Sequence, residues 1–204
     1  MKSFNNLLVT TMFLGAIGLP GSALAESNSA AGASPSASAR LDFQVVIPGI
    51  LRFQVGDAGT GNINLIEFQP AGPTLGDDSD VAATAGSGDL GNGAVTVSVV
   101  SNAGQVTITE TNNSGGAGLD NGAGDTIPYS EILTTSGDAG NLPAPVLSNN
   151  ASNSSQPSIS AGTRVTVRNS TWTYSYDNSD IYPEGTYGGV NTQGGRVTYT
   201  AATP

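Results

Sequence analysis

The sequence has no histidine and no cysteine. Its only lysine is Lys2, and its only methionines are Met1 and Met12. Beyond the first residues, then, no Ser-His-Asp triad, Cys-His pair, Ser-Lys dyad or lysine Schiff base can be built. Zinc and copper lose their usual ligands for the same reason. There is one tryptophan, Trp172, and there is little positive charge. The cations after Lys2 are Arg40, Arg52, Arg164, Arg168 and Arg196, set against 16 acidic residues, with a formal net charge of −10. Scattered arginines on an acidic chain cannot neutralise a run of phosphates, so nucleic acid is not an expected partner. The same charge disfavours anionic lipid. The chain also lacks any window with apolar residues at helical spacing over helical length.

The one apolar run, Leu7 to Leu19, lies behind Lys2 and is followed by Ala23-Leu24-Ala25, a small-x-small cleavage pattern. This reads as a secretory signal peptide over residues 1–25, exported by the Sec route and of bacterial type. No other stretch approaches the roughly 20 apolar residues of a membrane helix, so direct membrane insertion is not expected. Residues 26–40 are mostly Ser, Ala and Gly and carry too little apolar bulk to order themselves. They are expected to form a flexible linker. Residues 41–204 are of a length for one domain with a real core.

From Leu41 onward the pattern has period two. Strands are expected at 62–68, at 94–100 and 105–109 as a hairpin about Ser101–Gly104, at 127–134, at 163–168, at 171–176 and at 195–200. Residues 185–190 are expected to begin a last hairpin. Three Gly-, Asn-, Asp- and Ser-rich loops, at 69–93, 110–126 and 136–162, are long enough that one or two should hide short strands. Many short β-branched strands with such turns imply an all-β fold, an antiparallel sandwich or a barrel.

Three local patterns invite a chemical reading. Glu67, Glu110, Glu131 and Glu184 are the carboxylates that a glycan hydrolase would need, since that chemistry asks only for two at a set separation. They are scattered, and a non-enzymatic chain is the expectation. Asp77, Asp78 and Asp80, and Asp120 and Asn121 with Asp125, form oxygen-rich loops. Neither has the spacing of a helix-loop-helix calcium site, and Asp and Asn beside Gly are also what turns require. No cofactor is expected. Trp172, Tyr174 and Tyr176 share one face of a strand. Exposed, that face would be a platform for stacking sugars; buried, it is the core of a sandwich, which is the expected outcome.

The beginning of the domain poses a different question. Leu41, Phe43, Val45 and Ile47 alternate with Asp42, Gln44 and Val46, and after Pro48-Gly49 the alternation resumes with Leu51, Phe53 and Val55. A long, clean apolar zigzag after a flexible leader is poor protection for a monomer and good design for pairing with another chain. It also fits an ordinary first strand that crosses between two sheets at a kink. Spacing alone leaves both open.

An export signal, a small-residue linker, a zigzag ending in Val46-Ile47-Pro48 and a second strand are joined at the other end by Tyr182-Pro183-Glu184-Gly185-Thr186-Tyr187-Gly188-Gly189 and by Arg196-Val197-Thr198-Tyr199-Thr200. In these two ends the chain resembles the subunits of chaperone–usher fimbriae, particularly the spore-coat-U-like group. It departs from that group in lacking cysteine and in running on to Pro204. The resemblance implies an incomplete immunoglobulin-like β-sandwich without its last strand. It implies that Leu41, Phe43, Val45 and Ile47 form a donor strand for a neighbouring copy or related subunit. Val197 and Tyr199 would lie on the strand with which a periplasmic chaperone pairs before an outer-membrane usher assembles the filament. The resulting expectation is a structural subunit of a cell-surface or extracellular filament, exported through the periplasm. The alternative is a monomeric secreted sandwich that binds carbohydrate or extracellular matrix.

Overall fold

The computed structural model describes residues 27–59, 61, 63–150 and 152–204. The expected signal peptide lies outside the described residues. The chain divides into two units, Met1–Ile47 and Pro48–Pro204. In the first, residues 27–47 are exposed throughout and enter no β-ladder. The division falls at Ile47/Pro48, so residues 41–47, expected to open the β domain, group with the segment before them.

The second unit is nearly all β, as its period-two patterning demands. Its strands are β1 (Leu51–Val55), β2 (Val81–Ala82), β3 (Ala94–Ser101), β4 (Thr107–Asn112) and β5 (Leu119–Asp120). They continue with β6 (Thr126–Ile127), β7 (Ile132–Ser136), β8 (Ser154–Ser155), β9 (Thr166–Tyr176) and β10 (Val197–Ala202). Short 3-10 turns occupy Gly72–Thr74 and Tyr129–Glu131. Every pairing is antiparallel. One sheet runs β1-β3-β9-β2, with β7 also on β9; the second runs β10-β4-β8; β5 and β6 form a small ribbon.

The two larger sheets close on one apolar core. β3 alternates so that Val95, Val97 and Val99 point inward, and β4 and its lead-in contribute Ile108 and Val106. β9 contributes Trp172, Tyr174 and Tyr176, while Leu142 and Leu147 enter from the long loop before β8. Burying a side chain of this size stabilises by about 1.5–3 kcal/mol. With no disulfide to help, the core and the ladders hold the fold.

Four local expectations are corrected. The segments 94–100 and 105–109 are strands, but they do not form a hairpin: β3 and β4 lie in different sheets. Both edges of β3 are already taken, by β1 and β9, so the chain must cross over. Asn102 makes that crossing specific: its Nδ2 donates to Pro48 O at 2.9 Å and its Oδ1 accepts from Ile50 N at 2.7 Å. Of the strand expected at 62–68, the described residues 63–68 do not form one; Phe68 alone bridges to Ala83, and Glu67 N donates to the Ser87 hydroxyl at 2.9 Å. The expected strand at 127–134 is broken at Pro128, which opens the 3-10 turn between β6 and β7. Residues 185–190 are likewise loop, held to β5 by Gly188 N donating to Asp120 O at 2.9 Å.

Elsewhere the pattern is met or exceeded. Each of the three long loops carries one short strand, β2, β5 or β8. The segments at 163–168 and 171–176 fuse into the single 11-residue β9, because β3 pairs straight across Asn169 and Ser170.

Candidate functional site

The edge strands define the site. β1 pairs with β3 on one side only, and β10 pairs with β4 on one side only. They belong to different sheets and approach one another without a ladder between them. Their inward residues alternate as strand geometry requires. Phe53 and Val55 come from β1; Val197, Tyr199 and Ala201 come from β10; all are half-buried against the core.

A cavity of about 1060 Å³ opens into the core here. Phe53, Val55, Val197 and Tyr199 line it beside Leu119, Ile127 and Leu147. The segment 63–70 and the loop 182–191 contribute the rest of its rim. All six tyrosines of the chain, Tyr129, Tyr174, Tyr176, Tyr182, Tyr187 and Tyr199, line this one cavity. Four of their hydroxyls are held in place. Tyr174 and Tyr199 share a hydrogen bond of 2.9 Å, Tyr129 donates to Gly194 O, and Tyr187 donates to Pro183 O at 2.8 Å. The Tyr199 ring meets Trp172 edge-on at a centroid distance of 5.3 Å. Burial pushes the phenols of Tyr129 and Tyr174 up to about 12, and that of Tyr199 well above its ordinary value. These hydroxyls therefore stay neutral donors and acceptors across the ordinary pH range.

The sequence-predicted residues fall into distinct places. Val197 and Tyr199 sit on the inner face of β10, at the cavity wall. Leu41, Phe43, Val45 and Ile47 are exposed, Phe43 by 90% and Val45 by 83%. Single exposed apolar residues are unremarkable, but a contiguous exposed series is not. The glycan-platform reading of Trp172, Tyr174 and Tyr176 is corrected: Trp172 is fully buried, and both tyrosines keep only a few per cent of their surface accessible. β9 is central in its sheet and its aromatic face is the face the second sheet covers.

The carboxylates are dispersed. Glu67 and Glu184 line the cavity, and Glu67 Oε1 accepts from Gln69 Nε2 at 2.9 Å. Glu131 lies near Asp177 and Asp180, and burial followed by those two charges raises it. Glu110 is fully buried in β4. In the oxygen-rich loops Asp77, Asp120 and Asn121 accept from nearby turn residues. Asp77 binds Ser79 and accepts from Asn178 Nδ2 at 3.2 Å; the Ser79 hydroxyl, first among the causes, holds its carboxyl below the usual value. Asp120 takes Gly122 N, and Asn121 Nδ2 donates to Asp125 at 3.0 Å. Among the described residues no group of three or more acidic side chains is placed to hold a metal ion.

Sequence reasoning missed Tyr129, Tyr182 and Tyr187, which stand in loops or turns outside any period. Glu110 had a signal that went unused, since it shares the inward register of Ile108.

No family model, curated protein or solved structure matches the chain.

Proposed function

We propose that this protein is an exported structural subunit that joins its neighbours by strand addition. In this reading residues 41–47 of one copy, or of a related subunit, enter the gap between β1 and β10 of another. The sandwich is then an immunoglobulin-like one short of its last strand, and the assembly is a filament at the cell surface. A periplasmic chaperone would cover the gap before an usher exchanges it for the donor strand. The expected sequence of compartments is periplasm, then cell exterior.

One observation carries the reading. Among the described residues, the chain keeps an exposed apolar zigzag, Leu41 to Ile47, and also two sheet edges without strand partners beside an apolar cavity. Each is a liability alone. Together they are complementary, because a strand offers its backbone to both edges and alternate side chains to the cavity. Four such side chains, each stabilising by about 1.5–3 kcal/mol on burial, give on the order of 6–12 kcal/mol before ordering costs. Pro48 and Gly49 suit the joint, since proline offers no ladder donor and glycine tolerates unusual dihedrals.

The reading is tested by comparing residues 26–204 with a form that begins at Gly49, on a sizing column and by thermal melting. Subunits should assemble only when residues 41–47 are present, and a peptide copying them should bind and stabilise the shortened form. A full-length chain that stays monomeric at every concentration, together with a shortened form indifferent to the peptide, would overturn it.

A further inference from the structure

Glu110 is the only acidic residue among the fully buried side chains of the described residues. Neither of its carboxyl oxygens has a hydrogen-bond partner. It faces Tyr199 directly across the β4–β10 ladder, on the inward side of both strands. Tyr199 in turn holds the Tyr174 hydroxyl and packs on Trp172. An ionised carboxylate in that position would lack both water and a compensating charge, a situation proteins avoid by keeping the acid protonated.

We infer that the Glu110 carboxyl is a proton-operated stability element: the neutral acid fits inside the sandwich, the carboxylate does not, and the pairing of β4 with β10, the strand at the cavity wall, weakens as the proton leaves. This holds for the lone chain, whether or not a strand is ever received in the cavity.

The groups around it support the assignment. Burial is the largest influence and raises the carboxyl above its ordinary value of 4.5. The backbone amides of Asn153 and Ser148, on β8's approach, lower it in part, though neither reaches hydrogen-bond geometry. From β10 the facing titratable group is Tyr199, from the turn before β7 it is Tyr129, and Tyr174 of β9 follows through its bond to Tyr199. All three phenols are themselves raised, so each is neutral where Glu110 titrates. No guanidinium figures among the influences on the carboxyl.

The sign follows from linkage. The folded state binds this proton more tightly than the unfolded state does. The stabilisation is therefore complete below 4.5 and is lost as pH rises through the higher folded value. Glu131 is raised too and shifts the same way, so it needs its own control.

The experiment is a series of thermal melts of the full chain, Glu110→Gln, Glu110→Leu and Glu131→Gln between about pH 4 and about pH 8. The melting temperature of the parent should fall relative to both Glu110 variants as pH rises. The gap should be on the order of 5 °C near pH 8 and should close near pH 4, while Glu131→Gln retains most of the fall. In parallel, carbon-detected NMR of the unsubstituted chain should show a glutamate carboxyl that titrates above 4.5 and is missing from the Glu110→Gln spectrum. That measurement needs no variant to fold well in order to show the raised titration. Parallel melting curves for parent and Glu110→Gln, or a full set of glutamate carboxyls titrating at ordinary values, would each overturn the inference.

Discussion

Residues 41–47 and residues 51–55 carry the same alternation of large apolar side chains and lie on either side of Pro48, Gly49 and Ile50, yet the structure treats them oppositely. The second becomes β1, pairs with β3 from Leu51↔Ser101 to Val55↔Val97, and turns Phe53 and Val55 toward the core. The first pairs with nothing in the sheets and leaves Phe43 and Val45 to solvent. Periodicity thus states which face of a strand is apolar; it does not state who covers that face. β1 has β3 beside it, whereas residues 41–47 lie beyond Pro48-Gly49, where the chain divides. Among the described residues, then, a segment with a strand's chemistry enters no ladder.

Alanine substitutions sharpen this contrast, and their effects on the lone chain should fall in a definite order. Phe53→Ala should be the most costly, by about 1–3 kcal/mol in urea unfolding, because it empties part of a half-buried contact at the cavity wall. Asn102→Ala should cost about 1 kcal/mol by the same measurement, since it removes both side-chain bonds that tie Pro48 and Ile50 to the crossover after β3. Phe43→Ala should change the unfolding free energy least, within about 0.5 kcal/mol, because an exposed ring has no intramolecular contact to lose. It should nevertheless weaken assembly on a sizing column. If Phe43→Ala proves as costly to the lone chain as Phe53→Ala, the two zigzags do not differ in kind.

Much of the fold was legible in residues taken one strand at a time. The alternation in 94–100 marked a strand and that in 171–176 put Trp172, Tyr174 and Tyr176 on a face expected to be buried, because a pleated strand presents every second side chain to one face. What failed was the choice of partner. β3 and β4 are adjacent in sequence with a short turn-like link, which reads as a hairpin; β9, some 60 positions further on, takes the edge instead. That competition is non-local, and nothing in Ser101–Gly104 records it. The cavity was half legible for a related reason. Val197 and Tyr199 follow the strand period, while Tyr129, Tyr182 and Tyr187 reach the same space from loops and turns whose paths no repeat encodes. Residues 63–68 show the converse: their apolar spacing suits a strand, but the neighbouring chain from Thr84 to Gly88 meets them with a hydroxyl and isolated carbonyl bonds in place of a ladder.

Trp172 gives the protein an optical probe of its own. The lone indole of the chain donates to Leu142 O at 3.3 Å and rests against Tyr199, whose other side borders the open space between the two sheets. Its ultraviolet emission should be blue-shifted by that dry surrounding. Anything that moves Tyr199 as it fills the space should alter the intensity of that light, so occupancy can be followed in real time on unlabelled material.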